Sequence, residues 1–363
     1  MQPMAINSKR RALLKAAVGV APASLLLSGC SNLSASKKTT IVGCSRSHQG
    51  TFGVVAATEQ GQSIYRVALP ERGHGIAIQP NGDLAVAFAR RPGRYMQAFN
   101  HNTGEEWGIR AADPNRHYYG HGVFSSDGTL LYATEGISGT SEGVIGVYRV
   151  EPGLPKVTEF SGFGIGPHEV ILVDDTTLAV GVGGVHTNGR TALNLDSMQP
   201  ALVYLSTETG EVLESVTMED KKLSIRHLSS TSDGRVLCGQ QYRGEPEYGA
   251  PLVAIHQRGG ELQVLNAEPE QWLRFNHYVA SISVLDDLVL ATSPRGNCYG
   301  IWDLNTNTLL EINSLSDASG VGVKNHHWLV GSGTGKVLQI EPNLVASSHQ
   351  TDVMWDNHWS IIS

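Results

Sequence analysis

Gly73-His-Gly-Ile-Ala-Ile-Gln-Pro-Asn-Gly-Asp-Leu-Ala-Val-Ala-Phe88 is the stretch that decides the fold. Two short apolar runs flank Asn81-Gly82, which supplies the positive φ that a two-residue hairpin demands. The pattern returns at Gly120-His121-Gly-Val-Phe-Ser-Ser-Asp127-Gly128, at Pro167-His168-Glu-Val-Ile-Leu, at Arg226-His227-Leu-Ser-Ser-Thr-Ser-Asp233-Gly234, and at His277-Tyr-Val-Ala-Ser-Ile-Ser. The first four of these histidines are spaced by 47, 47 and 59 residues. Further strand-like runs follow each pair, such as Val144-Ile-Gly-Val-Tyr-Arg149 and Ile301-Trp-Asp-Leu304. Four strands in a repeat of this length predict a β-propeller.

Repeats begin near residues 73, 120, 167, 226, 277 and 317. A seventh is split. Residues 39–70 supply only outer strands, and Asn357-His358-Trp359 matches the start of a repeat. Pairing of the two chain ends then closes an all-β, seven-bladed ring and removes exposed sheet edges. An open six-bladed ring is the alternative. The predicted propeller covers residues 39–363.

Composition agrees with this reading. The 363 residues include 41 glycines, 40% hydrophobic residues and only 17% charged ones. Such a chain has the apolar mass for a large core, which excludes a disordered polyelectrolyte. Acidic residues outnumber basic ones 34 to 27, which argues against a nucleic-acid partner.

Residues 1–29 read as an export signal. Lys9-Arg-Arg-Ala-Leu-Leu-Lys15 is a twin-arginine core, followed by an uncharged stretch that ends in Leu27-Ser-Gly-Cys30. The latter resembles a lipobox, so Cys30 is the expected lipidation site, and residues 30–38 form a short tether. The expected location is the periplasmic side of a bacterial membrane, held by the N-terminal lipid alone. Removing the signal leaves 23 basic against 34 acidic residues, a charge of −11. Cys44, Cys238 and Cys298 lie far apart in strand-like runs and read as buried free thiols.

Six histidines (His74, His121, His168, His227, His277 and His358) fall at the start of a first strand, and Asp317 falls near that place in the remaining blade. First strands line a propeller's channel, so these side chains are expected to converge at one mouth. Histidines repeated in this way can serve as hydrogen-bonding links between blades. Six at one mouth would repel one another when protonated, which coordination of a transition metal such as Cu, Fe or Zn, or binding of an anion, would resolve. All six cannot hold one small ion, since zinc uses about four ligands.

Loops between second and third strands emerge at the same mouth. Together with neighbouring first strands they bring Arg72, Arg90, Glu135, Glu169, His186, Arg226, Gln241 and Arg295 as candidate ligand-binding residues, with residues 183–200 as a lid. The arginines either pair with carboxylates such as Glu135 and Glu169, or fork onto a small anionic ligand.

The segments Arg72-Gly-His-Gly, Tyr119-Gly-His-Gly-Val-Phe-Ser, Gly164-Ile-Gly-Pro-His-Glu, Leu193-Asn-Leu-Asp-Ser-Met-Gln-Pro, Leu223-Ser-Ile-Arg-His-Leu and Thr292-Ser-Pro-Arg-Gly resemble the exported bacterial family called domain of unknown function 1513. The resemblance implies a periplasmic propeller. It also implies periplasmic iron-uptake proteins as partners, because members often stand beside imelysin-like lipoproteins. The reading that follows is a metal-binding lipoprotein accessory to iron or copper uptake. A metal-dependent oxidoreductase, a propeller lyase or lactonase, and a protein-interaction platform are the alternatives.

Overall fold

A computed structural model describes residues 38–189 and 191–362. The signal, Cys30 and nearly all of the tether lie outside the described residues.

Seven four-stranded antiparallel sheets are arranged as blades. Their inner strands are Gly73–Ile78, Arg116–Phe124, Pro167–Asp174, Leu223–Ser230, Ser281–Leu285, Ala318–Lys324 and Met354–Ile361, which define blades 1 to 7 in that order. Each inner strand packs against the next, and the seventh packs against the first, so the ring is closed. Blade 7 is the split one. Ile41 pairs with Ile361 and Gly43 with Trp359, joining the two ends of the propeller in one sheet.

Second strands such as Leu84–Ala89 and Thr177–Val182 are buried along their whole length, because neighbouring blades cover both faces. Outer strands such as Glu106–Ala111 are largely exposed. Phe88 is fully buried, which contributes about 3 kcal/mol by removing an aromatic side chain from water. The three cysteines are buried and unpaired, as expected.

The Asp127-Gly128 and Asp233-Gly234 hairpins differ from the two-residue turns expected. Ser125 N–H donates to Leu130 O, and Thr231 N–H donates to Arg235 O, so each connection is longer. In both, an aspartate accepts from its neighbours: Asp127 from Thr129 N–H at 3.0 Å, and Asp233 from Arg235 Nε at 3.1 Å. The following Gly128 and Gly234 take the left-handed conformation.

Six of the seven inner strands depart from regular pairing near their first residues. In blade 1, Gly73 pairs with Ala89 and Ile76 with Ala87, so three steps on the inner strand answer two on its neighbour. Blade 3 does the same between Pro167 and Val170. Blades 2 and 7 each place four steps against two, between Tyr118 and Gly122 and between Trp355 and Trp359. A bulge breaks the alternation of side chains and re-aims the extra residue. Blade 5 has a regular inner strand.

Candidate metal centre and arginine-lined cavity

His74, His121, His168 and His358 sit within these bulges, and His227 closes the bulge of blade 4. The re-aimed rings meet. Ring centroids of His74 lie 4.8 Å from His121 and 4.5 Å from His358. His168 lies 4.8 Å from both His121 and His227, and His227 lies 4.6 Å from His358. The five histidines form one buried cluster, contributed by blades 1, 2, 3, 4 and 7.

The Gly-His-Gly repeats make this approach feasible. A Cβ on Gly75 would lie 2.7 Å from Gly120 O and 2.8 Å from His121 Nδ1. Gly120 has φ +106, and its Cβ would lie 2.7 Å from the His74 ring. Thr134 Oγ1 lies 3.1 Å from His121 O and 3.0 Å from His168 O, which ties blade 2 to blade 3 behind the rings.

One ring nitrogen on each histidine is buried without a hydrogen-bond partner among the described residues: His74 Nδ1, His121 Nε2, His168 Nδ1, His227 Nε2 and His358 Nε2. Leaving a buried polar atom unsatisfied costs about 1–3 kcal/mol. Glu169 adds a carboxylate, with Oε2 at 3.3 Å from His227 Nδ1 and Oε1 at 3.6 Å from His121 Nδ1. Leu228 N–H donates to the same carboxylate at 2.9 Å.

Burial lowers the pKa of all five imidazoles. It brings His121 to about 4, where Glu169 opposes the shift, and His227 to about 3, where Arg226 adds to it. His74, His168 and His358 fall well below the usual value, by burial and by mutual repulsion. At neutral pH each ring is therefore neutral and offers a lone pair. His74, His121 and His358 form one group whose ligand atoms lie within 4.8 Å of one another, and His121, His168 and His227 form a second. Tetrahedral Zn–N bonds of about 2.0–2.1 Å place ligand nitrogens about 3.3 Å apart, so a bound ion would require each group to draw in from spacings of up to 4.8 Å. The donors fit a transition metal.

His277 does not join the cluster. It follows the short helix Pro269–Leu273, stands at φ 56, meets the Tyr242 ring edge-on with centroids 5.3 Å apart, and its Nε2 lies 2.9 Å from Tyr248 O. The helix and its following loop displace the repeat, so the inner strand starts at Ser281 instead. Asp317 stays exposed in the turn before blade 6, also outside the cluster.

Above the histidines lies a cavity of about 450 Å³, with His74 and His168 in its lining. Arg72, Arg90, Arg91, Arg226, Arg243 and Arg295 also line it. Gln241, Asn357, Tyr119 and Tyr278 contribute further polar groups, and no carboxylate is among the lining residues. These residues come from inner-strand starts and second-to-third-strand loops, as expected of this mouth. Arg72 forks onto Asp356 at 2.5 and 2.9 Å. Arg295 covers the Tyr278 ring at 4.4 Å.

Two predicted residues lie elsewhere. Glu135 is buried in a structural network, where the Tyr148 hydroxyl and Lys156 Nζ donate to it, the latter at 2.9 Å. Lys156 also pairs with Asp113 at 2.9 Å. His186 Nδ1 lies 3.0 Å from Ser141 Oγ, and its N–H donates to Asn194. Among the described residues, none of segment 183–200 lines the cavity. Arg91 and Arg243, on the predicted mouth loops, and Tyr278 and Asn357 join the lining without having been expected as ligand-binding residues. Each neighbours a residue that was singled out or lies in the same loop, and that adjacency was the available signal.

Residues 67–362 match the family described as protein of unknown function (DUF1513). The match spans most of the chain, which therefore belongs to that family. No curated protein matches the chain.

Proposed function

We propose that this member of the DUF1513 family binds a transition metal ion (Cu, Fe or Zn) through three or four of the histidines His74, His121, His168, His227 and His358. The observation that carries the reading is the set of five buried, unpartnered ring nitrogens, one per histidine. Buried polar atoms are normally hydrogen-bonded, and an ion coordinated at the centre of the cluster would satisfy all of these converging free nitrogens at once. Glu169, beside two Nδ1 atoms, serves as the outer partner that orients metal-binding imidazoles.

We place the protein on the periplasmic side of a bacterial membrane, lipid-anchored at Cys30 and accessory to iron or copper uptake. The twin-arginine and lipobox motifs support the location, since the twin-arginine route carries folded, loaded proteins. Elemental analysis of the exported full chain tests the metal reading. At least one equivalent of a transition metal is expected. Absence of metal, together with no binding tighter than micromolar, overturns it. Membrane fractionation of Cys30→Ser tests the anchor: the variant leaves the membrane fraction, and retention there contradicts lipidation.

A further inference from the structure

We infer that the arginine-lined cavity is a second, separate site, which binds a small oxyanion carrying two or more negative charges on carboxylate or phosphate groups. The inference rests on the cationic lining of the cavity and does not require the metal.

Six guanidinium groups face a space of about 450 Å³ with no carboxylate among the lining residues. Arg72 is paired there with Asp356, and the unmet donors belong to Arg226 and Arg243. Arg226 is 3% exposed, and its Nε and Nη2 have no hydrogen-bond partner among the described residues. Arg243 Nε is likewise buried without a partner, while its Nη2 donates to Gln241 at 3.1 Å. A buried charge with unmet donors is costly unless an opposite charge completes it.

The chemistry of the lining defines the ligand. Guanidinium forks match the paired oxygens of carboxylates and phosphates. Several cations in one pocket favour a multiply charged ligand over chloride. The Tyr119 and Tyr278 rings and the Gln241 and Asn357 amides give it polar, non-acidic walls. Because His74 and His168 also line the cavity, an anion there lies next to the histidine cluster.

Calorimetric titration of the full chain with citrate, with inorganic phosphate and with chloride tests the inference, in metal-free and zinc-loaded protein. Citrate or phosphate is expected to bind metal-free protein at least tenfold more tightly than chloride, and to weaken as salt rises. The tighter of the two identifies the source as a polycarboxylate or a phosphate. Arg226→Gln and Arg243→Gln each weaken that binding tenfold or more. Arg243→Gln and Arg295→Gln, nearer the mouth, carry the test if Arg226→Gln does not fold. His121→Ala separates the two sites: it loses metal and keeps the anion. Failure of both anions to bind in either form of the protein overturns the inference, as does binding unchanged by the arginine variants.

Discussion

Glu169 Oε2 lies 3.3 Å from Nδ1 of His227, a contact that joins blade 3 to blade 4. A carboxylate only accepts, so it holds the proton on Nδ1 and leaves the His227 Nε2 lone pair free, and Nε2 is the nitrogen without a partner. Glu169→Gln removes that charge while keeping the shape. Metal affinity should fall about 10–100-fold, as for outer partners of metal-bound imidazoles. Chelator competition on the wild type and the variant checks this, and an unchanged affinity removes Glu169 from the site.

His121 belongs to both histidine groups, so His121→Ala should cost more metal than any other single exchange. His168→Ala should also lower occupancy, whereas His277→Ala should leave it unchanged. In metal-free chain His121→Ala should alter stability by about 1 kcal/mol or less, because loss of an unsatisfied nitrogen offsets the cavity. Metal content and denaturant midpoints measure the two effects. Unfolding of the variant would instead assign His121 a structural task.

The depressed imidazole pKa values set a pH dependence. An unfolded histidine titrates near 6.5, while burial holds His121 at about 4 and His227 at about 3. Between those values the unfolded chain binds more protons than the folded one, so stability rises with pH there. The metal-free protein should lose stability as pH falls from about 6.5 toward 4, and these groups add no slope above it. Glu169, raised by burial, acts with the opposite sign, but five imidazoles outweigh one carboxylate. Urea unfolding of metal-free protein from pH 4 to 8 checks the slope.

Gly120→Ala puts a Cβ 2.7 Å from the His74 ring on a backbone at φ +106. Steric overlap and an unfavourable backbone should together destabilise the chain by about 2 kcal/mol and lower metal occupancy by displacing His74. Thermal unfolding and metal content should move together. Loss of stability with full occupancy would show that His74 is not a ligand.

Lys156 makes the complementary control. It neutralises the buried Glu135, far from the cluster in function though on a neighbouring strand of the same blade as His121. Lys156→Met should cost about 3 kcal/mol by leaving that carboxylate without its cation, with metal and anion binding intact. Stability and binding measured on one preparation decide it.

The sequence by itself determined the architecture. Strand alternation, Asp-Gly and Asn-Gly turns and a period near 47 residues are local signals, and they sufficed for seven blades and for the pairing of the chain ends. They also marked the five histidines that meet, because the repeat placed them at equivalent positions. Tertiary structure alone decided the rest. His277 carried the same repeat signal, but the Pro269–Leu273 helix moved the start of its strand, a shift that periodicity does not register. Glu135 looked like a mouth residue until Tyr148 and Lys156 closed around it from two neighbouring strands of its own blade. The inner-strand bulges aim the imidazoles, and a bulge exists only relative to the strand beside it. The unmet donors of Arg226 and Arg243 follow for the same reason: which guanidinium nitrogens are buried without a partner among the described residues is a property of the packed ring, not of the order of residues along the chain.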